Sequence, residues 1–175
     1  MRIQQGLTLL ELLVALVIIS IVALVGIPDF SGWNCKRNQQ AEFDQLAGLL
    51  GSLRNYSQNA LKAVRYSTDQ PSIIQIAKEG QSVSCLDDDD WESIDVASEN
   101  LVIPNLNKLS LAQSETVCFY PDDFDGFATS SEFLLIGQCG DTDSTFTNFR
   151  ITTLAATGLV RRYKRSSSDA EWVQL

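Results

Sequence analysis

From Gly6 to Pro28 the chain reads GLTLLELLVALVIISIVALVGIP. Leu7–Ile27 is one almost unbroken apolar run. About twenty such residues are enough to cross a bilayer as a helix, at ~1.5 Å per residue. The run lacks the alternation of a half-buried strand. Only MRIQQG stands in front of it. By the positive-inside rule Arg2 stays cytoplasmic and the rest of the chain lies beyond the membrane. A cleavable secretory signal fits poorly, because the stretch is too long and no small-x-small site follows before Pro28. A plain anchor leaves Glu11 unexplained. A carboxylate in an apolar span costs about 2.5–3.5 kcal/mol near the centre and less near an end, so it usually has a partner.

The remainder is an acidic body. Across all 175 residues, 22 acidic side chains face 13 basic ones, a formal net charge of −9. Such a surface repels nucleic acid at long range. There is no histidine, which removes the commonest general base, the usual zinc ligand and every Ser-His or Cys-His nucleophile pair. Asp and Glu are abundant, but none is tied to a nucleophile or a glycine-rich phosphate loop. The sequence therefore predicts no enzyme, no cofactor and no metal. The four cysteines (Cys35, Cys85, Cys118, Cys139) form no CxxC pair, and dispersed even cysteines in an exported chain predict disulfides.

Beyond Pro28, which is expected to bend the helix rather than end it, helical periodicity resumes. Phe43, Leu46, Leu50, Leu53, Ser57, Ala60 and Val64 step by three and four along one face. The helix is expected to stop near Tyr66, before the turn-forming Ser67-Thr68-Asp69-Gln70-Pro71. Short apolar segments then alternate with polar loops. Expected strands are Ile73–Ala77, Ser82–Leu86, Leu101–Ile103, Thr116–Tyr120, Glu132–Gly137, Phe146–Thr153 and Gly158–Tyr163. The fold class is α+β: a long N-terminal transmembrane and amphipathic helix laid on an antiparallel β domain.

Gly6, the glutamate five residues after it and the proline at the twenty-second resemble the processing motif of type IV prepilins. Leu7 departs from the usual phenylalanine. The resemblance implies cleavage after Gly6 by a prepilin peptidase and methylation of the new Leu7 amine. Glu11 would then pair with the Leu7 amine of a neighbouring subunit. The body is similar to the minor pilin and type II secretion pseudopilin H group, of FimT, FimU and GspH type. The carrying features are the LxxxLxxLRxxSxxAL pattern of Leu46–Leu61, the segment ending in Cys85, and Arg150-Ile151-Thr152 with Thr157-Gly158-Leu159-Val160-Arg161.

The resemblance implies a pilin-like fold in four parts: leader 1–6, transmembrane and filament-core helix 7–28, amphipathic continuation 29–66 and β domain 67–175. It also implies other pilins or pseudopilins as partners. The chain would sit as a single pass in the bacterial inner membrane, its C-terminal domain in the periplasm, and be extracellular once assembled. Pilus and secretion systems both remain open.

The closing strand concentrates Arg161, Arg162, Lys164 and Arg165, with Tyr163 among them. Cations beside an aromatic suit DNA phosphates and a stacked base. FimT-type pilins capture DNA through a Gly-Arg-x-Arg motif, of which only Gly158 and Arg161 match here. The blander reading is a solvated strand whose charges prevent edge pairing. Asp87–Asp90, the run Asp122-Asp123-Phe124-Asp125, and Asp141 with Asp143 lack full EF-hand spacing and read as solvated turns. Three cysteine pairings are open. One hairpin spanning Thr116–Tyr120 and Glu132–Gly137 would bring Cys118 to Cys139 and leave Cys35 for Cys85.

Overall fold

A computed structural model describes residues 8–78, 84–96, 98–99, 101–121, 126–139 and 147–175, the side chains of 24–31 excepted. One helix, α1, runs from Leu9 to Ala60. Its 52 residues reach about 78 Å, and it continues through Pro28, as expected. Nine short strands follow: β1 Val64–Ser67, β2 Ile74–Ala77, β3 Trp91–Ser93, β4 Leu109–Leu111, β5 Thr116–Phe119, β6 Ser131–Gly137, β7 Phe149–Thr153, β8 Val160–Lys164 and β9 Val173–Gln174. They make two antiparallel sheets, ordered β3-β2-β1-β5 and β4-β6-β7-β8-β9. The α+β architecture is thus the expected one.

The sheets share one core. Phe43, Leu46, Leu50, Leu53 and Ser57 are fully buried along α1, as the periodicity predicts, but Ala60, expected on the same face, is exposed at the helix end. Against them lie Val64, Tyr66, Ile74, Val117 and Phe119 from the first sheet and Phe133, Leu135, Phe149 and Ile151 from the second. Side chains alternate along each strand, and β6 and β7 show it strictly, buried and half-buried in turn. Phe43 meets Phe149 with ring centroids 4.9 Å apart.

The helix ends six residues before the expected Tyr66. Leu61 turns left-handed (φ 53°) and its N–H bonds back to the Ser57 carbonyl. Ser57 Oγ sits 2.8 Å from the Lys62 carbonyl and 3.1 Å from that of Phe119, within donating reach of both. Val64 continues the helical step from Ala60, whereas Tyr66, two residues on, shares a face with it only on a strand. The empty place between β2 and β5 decides for the strand, where Arg65 opposes both Gln75 and Cys118.

Other strand expectations need correction. Residues 84–86 and 101–103 carry no strand; Leu101 is buried as a loop residue and Leu86 is exposed. Ser82 and Phe146 lie outside the described residues. β6 keeps its expected place, β7 ends at Thr153 as expected but starts at Phe149, with 147 and 148 outside it, and β8 starts two residues later than Gly158. The hairpin expected between Thr116–Tyr120 and Glu132–Gly137 does not form: β5 pairs with β1, and β6 pairs with β4 and β7.

Two measurements test this core. Leu61 is 72% exposed and bears a left-handed backbone that costs a branched residue about 1–2 kcal/mol. Leu61→Gly should raise stability by about 0.5–1 kcal/mol, after the entropy glycine adds to the unfolded chain, read as a higher denaturation midpoint. Burial pushes the Tyr66 hydroxyl up to about 12, against ~10 in the unfolded chain. The unfolded state therefore ionises first, and stability should fall as pH rises from about 10 through 12. Tyr66→Phe should flatten that decline in alkaline unfolding curves.

Candidate functional site

Among the described residues, the side chains at the N-terminal end of α1, Leu9 to Ala23, have no packing partner. Leu9, Leu10, Leu12, Leu13, Val14 and their neighbours to Val22 stand 48–84% exposed. Thr8 caps the helix, accepting the Glu11 N–H on its side chain. Thr8-Leu9-Leu10-Glu11 thus has the spacing of a capping box, with an acid at the positive helix end, a signal readable in the sequence but overlooked there. Glu11 is exposed, and its carboxylate has no partner among the described residues. The expected cleavage residues Gly6 and Leu7 lie outside the described residues, as does the Pro28 side chain. Among the described residues no helix is long and apolar enough to cross a membrane. The side chains from Leu9 to Ala23 cover about 22 Å, less than the ~30 Å hydrocarbon core.

Below this sleeve the body is clamped to α1. Cys35 bonds to Cys139 and Cys85 to Cys118, with Cα atoms 5.7 and 5.8 Å apart. The sequence left the pairing open but favoured Cys118 with Cys139. β5 and β6 lie in separate sheets, so the hairpin behind that pairing is absent and each cysteine bonds elsewhere. Cys139 instead follows β6 to the helix, where the Gln39 side-chain amide oxygen (Oε1) accepts from the N–H groups of Gln138 at 2.8 Å and Cys139 at 3.3 Å. Gly137 leaves room for this contact: a Cβ there would lie 2.6 Å from the Gln39 amide, which would have to shift. Glu42 Oε2 adds a bond from the Lys108 N–H at 2.7 Å.

The second disulfide pins the Asp87–Asp90 loop over the outer face of the first sheet. Arg65, buried on that face, donates to Gln75 Oε1 at 2.8 Å, to the carbonyls of Cys85 and Asp87, and to Asp88 at 2.6 Å. Trp91 covers its guanidinium at 5.0 Å and donates from the indole to the Ser84 carbonyl. Arg65 was not singled out in the sequence, where it sits inside an apparent helix. Among the described residues no group of three or more candidate ligands is placed to hold a metal. Asp122, Asp123, Asp125, Asp141 and Asp143 lie outside them.

The four basic residues of the closing strand do not form one patch. Arg162 turns to the helix and pairs with Asp44 at 2.7 Å. Lys164 sits 5.3 Å from the Phe149 ring on the same side. Arg161 and Arg165 face away from the helix. Arg165 binds Thr147 and the Ser168 carbonyl and stacks on Trp172 at 4.6 Å. Arg150, from the neighbouring strand, lies between Tyr163 at 4.4 Å and Trp172 at 4.6 Å and pairs with Glu132. The sequence reading used Arg150 only as part of the family pattern and missed its meeting with Trp172, since the two share no local motif and come together only when β7, β8 and the C-terminal segment align.

Beside Asp44 and Arg162, an open groove of about 330 Å³ runs between α1 and β8, with Gly48 and Gly51 on its helix side. A Cβ at either glycine would meet nothing within 4 Å, so this chain's own packing requires neither.

Residues 1–27 match the family described as the prokaryotic N-terminal methylation motif. No curated protein and no solved structure matches the chain. The motif is of prepilin type and supports a type IV pilin or pseudopilin, a structural subunit.

Digestion of the unreduced protein should release 35–139 and 85–118 linked peptides; a 118–139 link would contradict the two-sheet arrangement. Replacing Cys35 and Cys139 with serine should lower stability by about 2–4 kcal/mol, the large separation of 104 residues placing it at the upper end. Thermal unfolding reads this directly.

Proposed function

We propose that the chain is a minor subunit of a type IV pilus. It is cut after Gly6 by a prepilin peptidase and methylated on Leu7. Leu7–Ile27 then stores it in the bacterial inner membrane with its body in the periplasm, and it enters the filament at or near the tip. The observation carrying this reading is the bare apolar sleeve of α1 with the unpartnered Glu11 carboxylate inside it. A sleeve of that kind is unsuited to water and suited to lipid or to a bundle of like helices. A carboxylate in such a place needs a cation, and the Leu7 amine of the preceding subunit supplies one when the helices align. The match over residues 1–27 supports the processing step.

The same N-terminus serves an H-type pseudopilin of a type II secretion system, which is the runner-up. One disulfide clamping the body to its helix and a second fixing a surface loop to the first sheet suit a subunit under tension outside the cell and favour the pilus. DNA uptake receives less support, because Arg162 and Arg165 are engaged within the chain and the rest of the body is strongly acidic.

Gly6→Ala should slow processing, seen as precursor accumulating on a gel; unchanged mature yield would contradict the assigned site. Glu11→Ala should leave cleavage intact and cut the amount recovered in sheared filaments by roughly tenfold or more. A deletion scored in parallel for surface pili and exoprotein secretion separates the two systems, with lost pili and intact secretion expected.

A further inference from the structure

Just past the sleeve, from Trp33 to Arg37, α1 carries the sequence WNCKR. Trp33 is 57% exposed, and no other aromatic side chain among the described residues is exposed. Lys36 and Arg37 are exposed too. The Arg37 guanidinium lies over the Trp33 ring, 5.6 Å from its centroid. Neither cation has an ion-pair or hydrogen-bond partner among the described residues. The acids that follow on the helix are engaged elsewhere: Glu42 accepts the Lys108 N–H and Asp44 pairs with Arg162. Asp29, two turns before Arg37, is the other charge nearby, and its side chain lies outside the described residues. Residues 29–41 thus hold one acid and two bases in a chain of net charge −9.

Backbone geometry keeps this face clear of the body. Trp33 and Arg37 each stand two residues, about 200° of helical turn, from Cys35 and Gln39. Those two residues fasten α1 to β6 and the segment after it, through the Cys35–Cys139 bond and the Gln39 amide. Trp33 and Arg37 therefore face the side opposite the body. Side chains on a helix lean toward its N-terminus, and Arg37 does so, reaching back one turn to Trp33. That direction is the membrane side when Leu7–Ile27 spans. As a helix this run would cover about 32 Å, matching a hydrocarbon core of ~30 Å. Trp33 stands ~9 Å beyond Ile27 along the axis, and Arg37 ~15 Å. Their lean brings the ring and the guanidinium back into the headgroup layer.

We propose that Trp33, Lys36 and Arg37 form a docking surface for anionic phospholipid headgroups of the periplasmic leaflet, which holds α1 at a fixed depth in the membrane. Continuity and charge commit the occupant. The surface follows the apolar sleeve without a break in α1, so a bilayer that takes the sleeve also meets it. An indole beside unpaired cations suits a boundary that is apolar below and anionic above. An acidic segment of another protein would satisfy the cations, but it gives no reason for an exposed indole at headgroup depth. This deepens the filament-subunit reading and rests on it for its membrane setting.

The test uses the full chain in vesicles of phosphatidylcholine, alone or mixed equally with phosphatidylglycerol. Nitroxide-labelled lipids quench tryptophan according to depth, and Trp33→Phe subtracts the signals of Trp91 and Trp172. Headgroup-labelled lipid should quench Trp33 more than lipid labelled deep in its acyl chain. Spin-labelled phosphatidylglycerol should be retained by the protein about three- to fivefold more than spin-labelled phosphatidylcholine. Salt at about 0.5 M should erase most of that preference. Lys36→Gln combined with Arg37→Gln should bring it close to parity, and both positions are exposed, so the fold tolerates the change. Equal retention of the two lipids, or a preference that survives the double variant, would overturn the proposal. So would Trp33 quenched by aqueous acrylamide but by neither lipid label, which would leave this face to another protein subunit. Resistance to carbonate extraction reports separately on the Leu7–Ile27 span. A chain that stays inserted without the headgroup preference sinks this contact alone, whereas a chain released by carbonate sinks the membrane-stored subunit with it.

Discussion

One helical stripe holds this molecule together. The two sheets are separate ladders, and each buries its inner face against the same residues of α1, from Phe43 to Ser57. Neither sheet has an independent core of comparable size. A three- or four-residue strand is marginal alone, and most of these strands are that short. Their order therefore depends on what α1 offers, and a polar substitution at Leu46 or Leu50 would remove support from both sheets together.

The same helix changes character along its length. Toward the C-terminus its apolar side chains are confined to the buried stripe, and Asp44, Gln45 and Asn55 face solvent. Toward the N-terminus they surround it from Leu9 to Val22, and none is covered. The Cys35–Cys139 bond and the Gln39 amide fix β6 to the helix just below that change. The body is thereby held at one end of a long rod whose other end is free to pack elsewhere. On the proposed function, in which the subunit exchanges lipid for a bundle of helices, this division between a rigid body and an unpartnered rod is what the exchange needs.

Local polar groups then shape the surface. Arg65 would be costly to bury alone, but its donors meet a side-chain amide, two carbonyls and Asp88, so the guanidinium organises the loop that hides it. Arg150 plays a similar part on the other sheet, using two aromatic faces and Glu132. In each case a cation on an outer sheet face recruits a distant segment, Asp87–Asp90 or the strand around Trp172, and turns a loop or terminus into a defined surface.

The sequence by itself determined the long helix, its inward stripe, the α+β class and the prepilin-type N-terminus. These rest on periodicity over many residues or on a motif of contiguous positions, and neither depends on what lies across the chain. Tertiary structure alone decided where α1 ends, which strands share a sheet and which cysteines meet. Val64 extends the helical stripe by one more step, and the pairing of Val64–Ser67 with β2 and β5 makes the segment a strand. Trp91–Ser93 and Leu109–Leu111 are too short to carry a period, so their pairing shows only in hydrogen bonds to partners far along the chain. The cysteine pairs and the split of the basic residues between two faces follow from that pairing, because a strand's place in a sheet sets which way each side chain points.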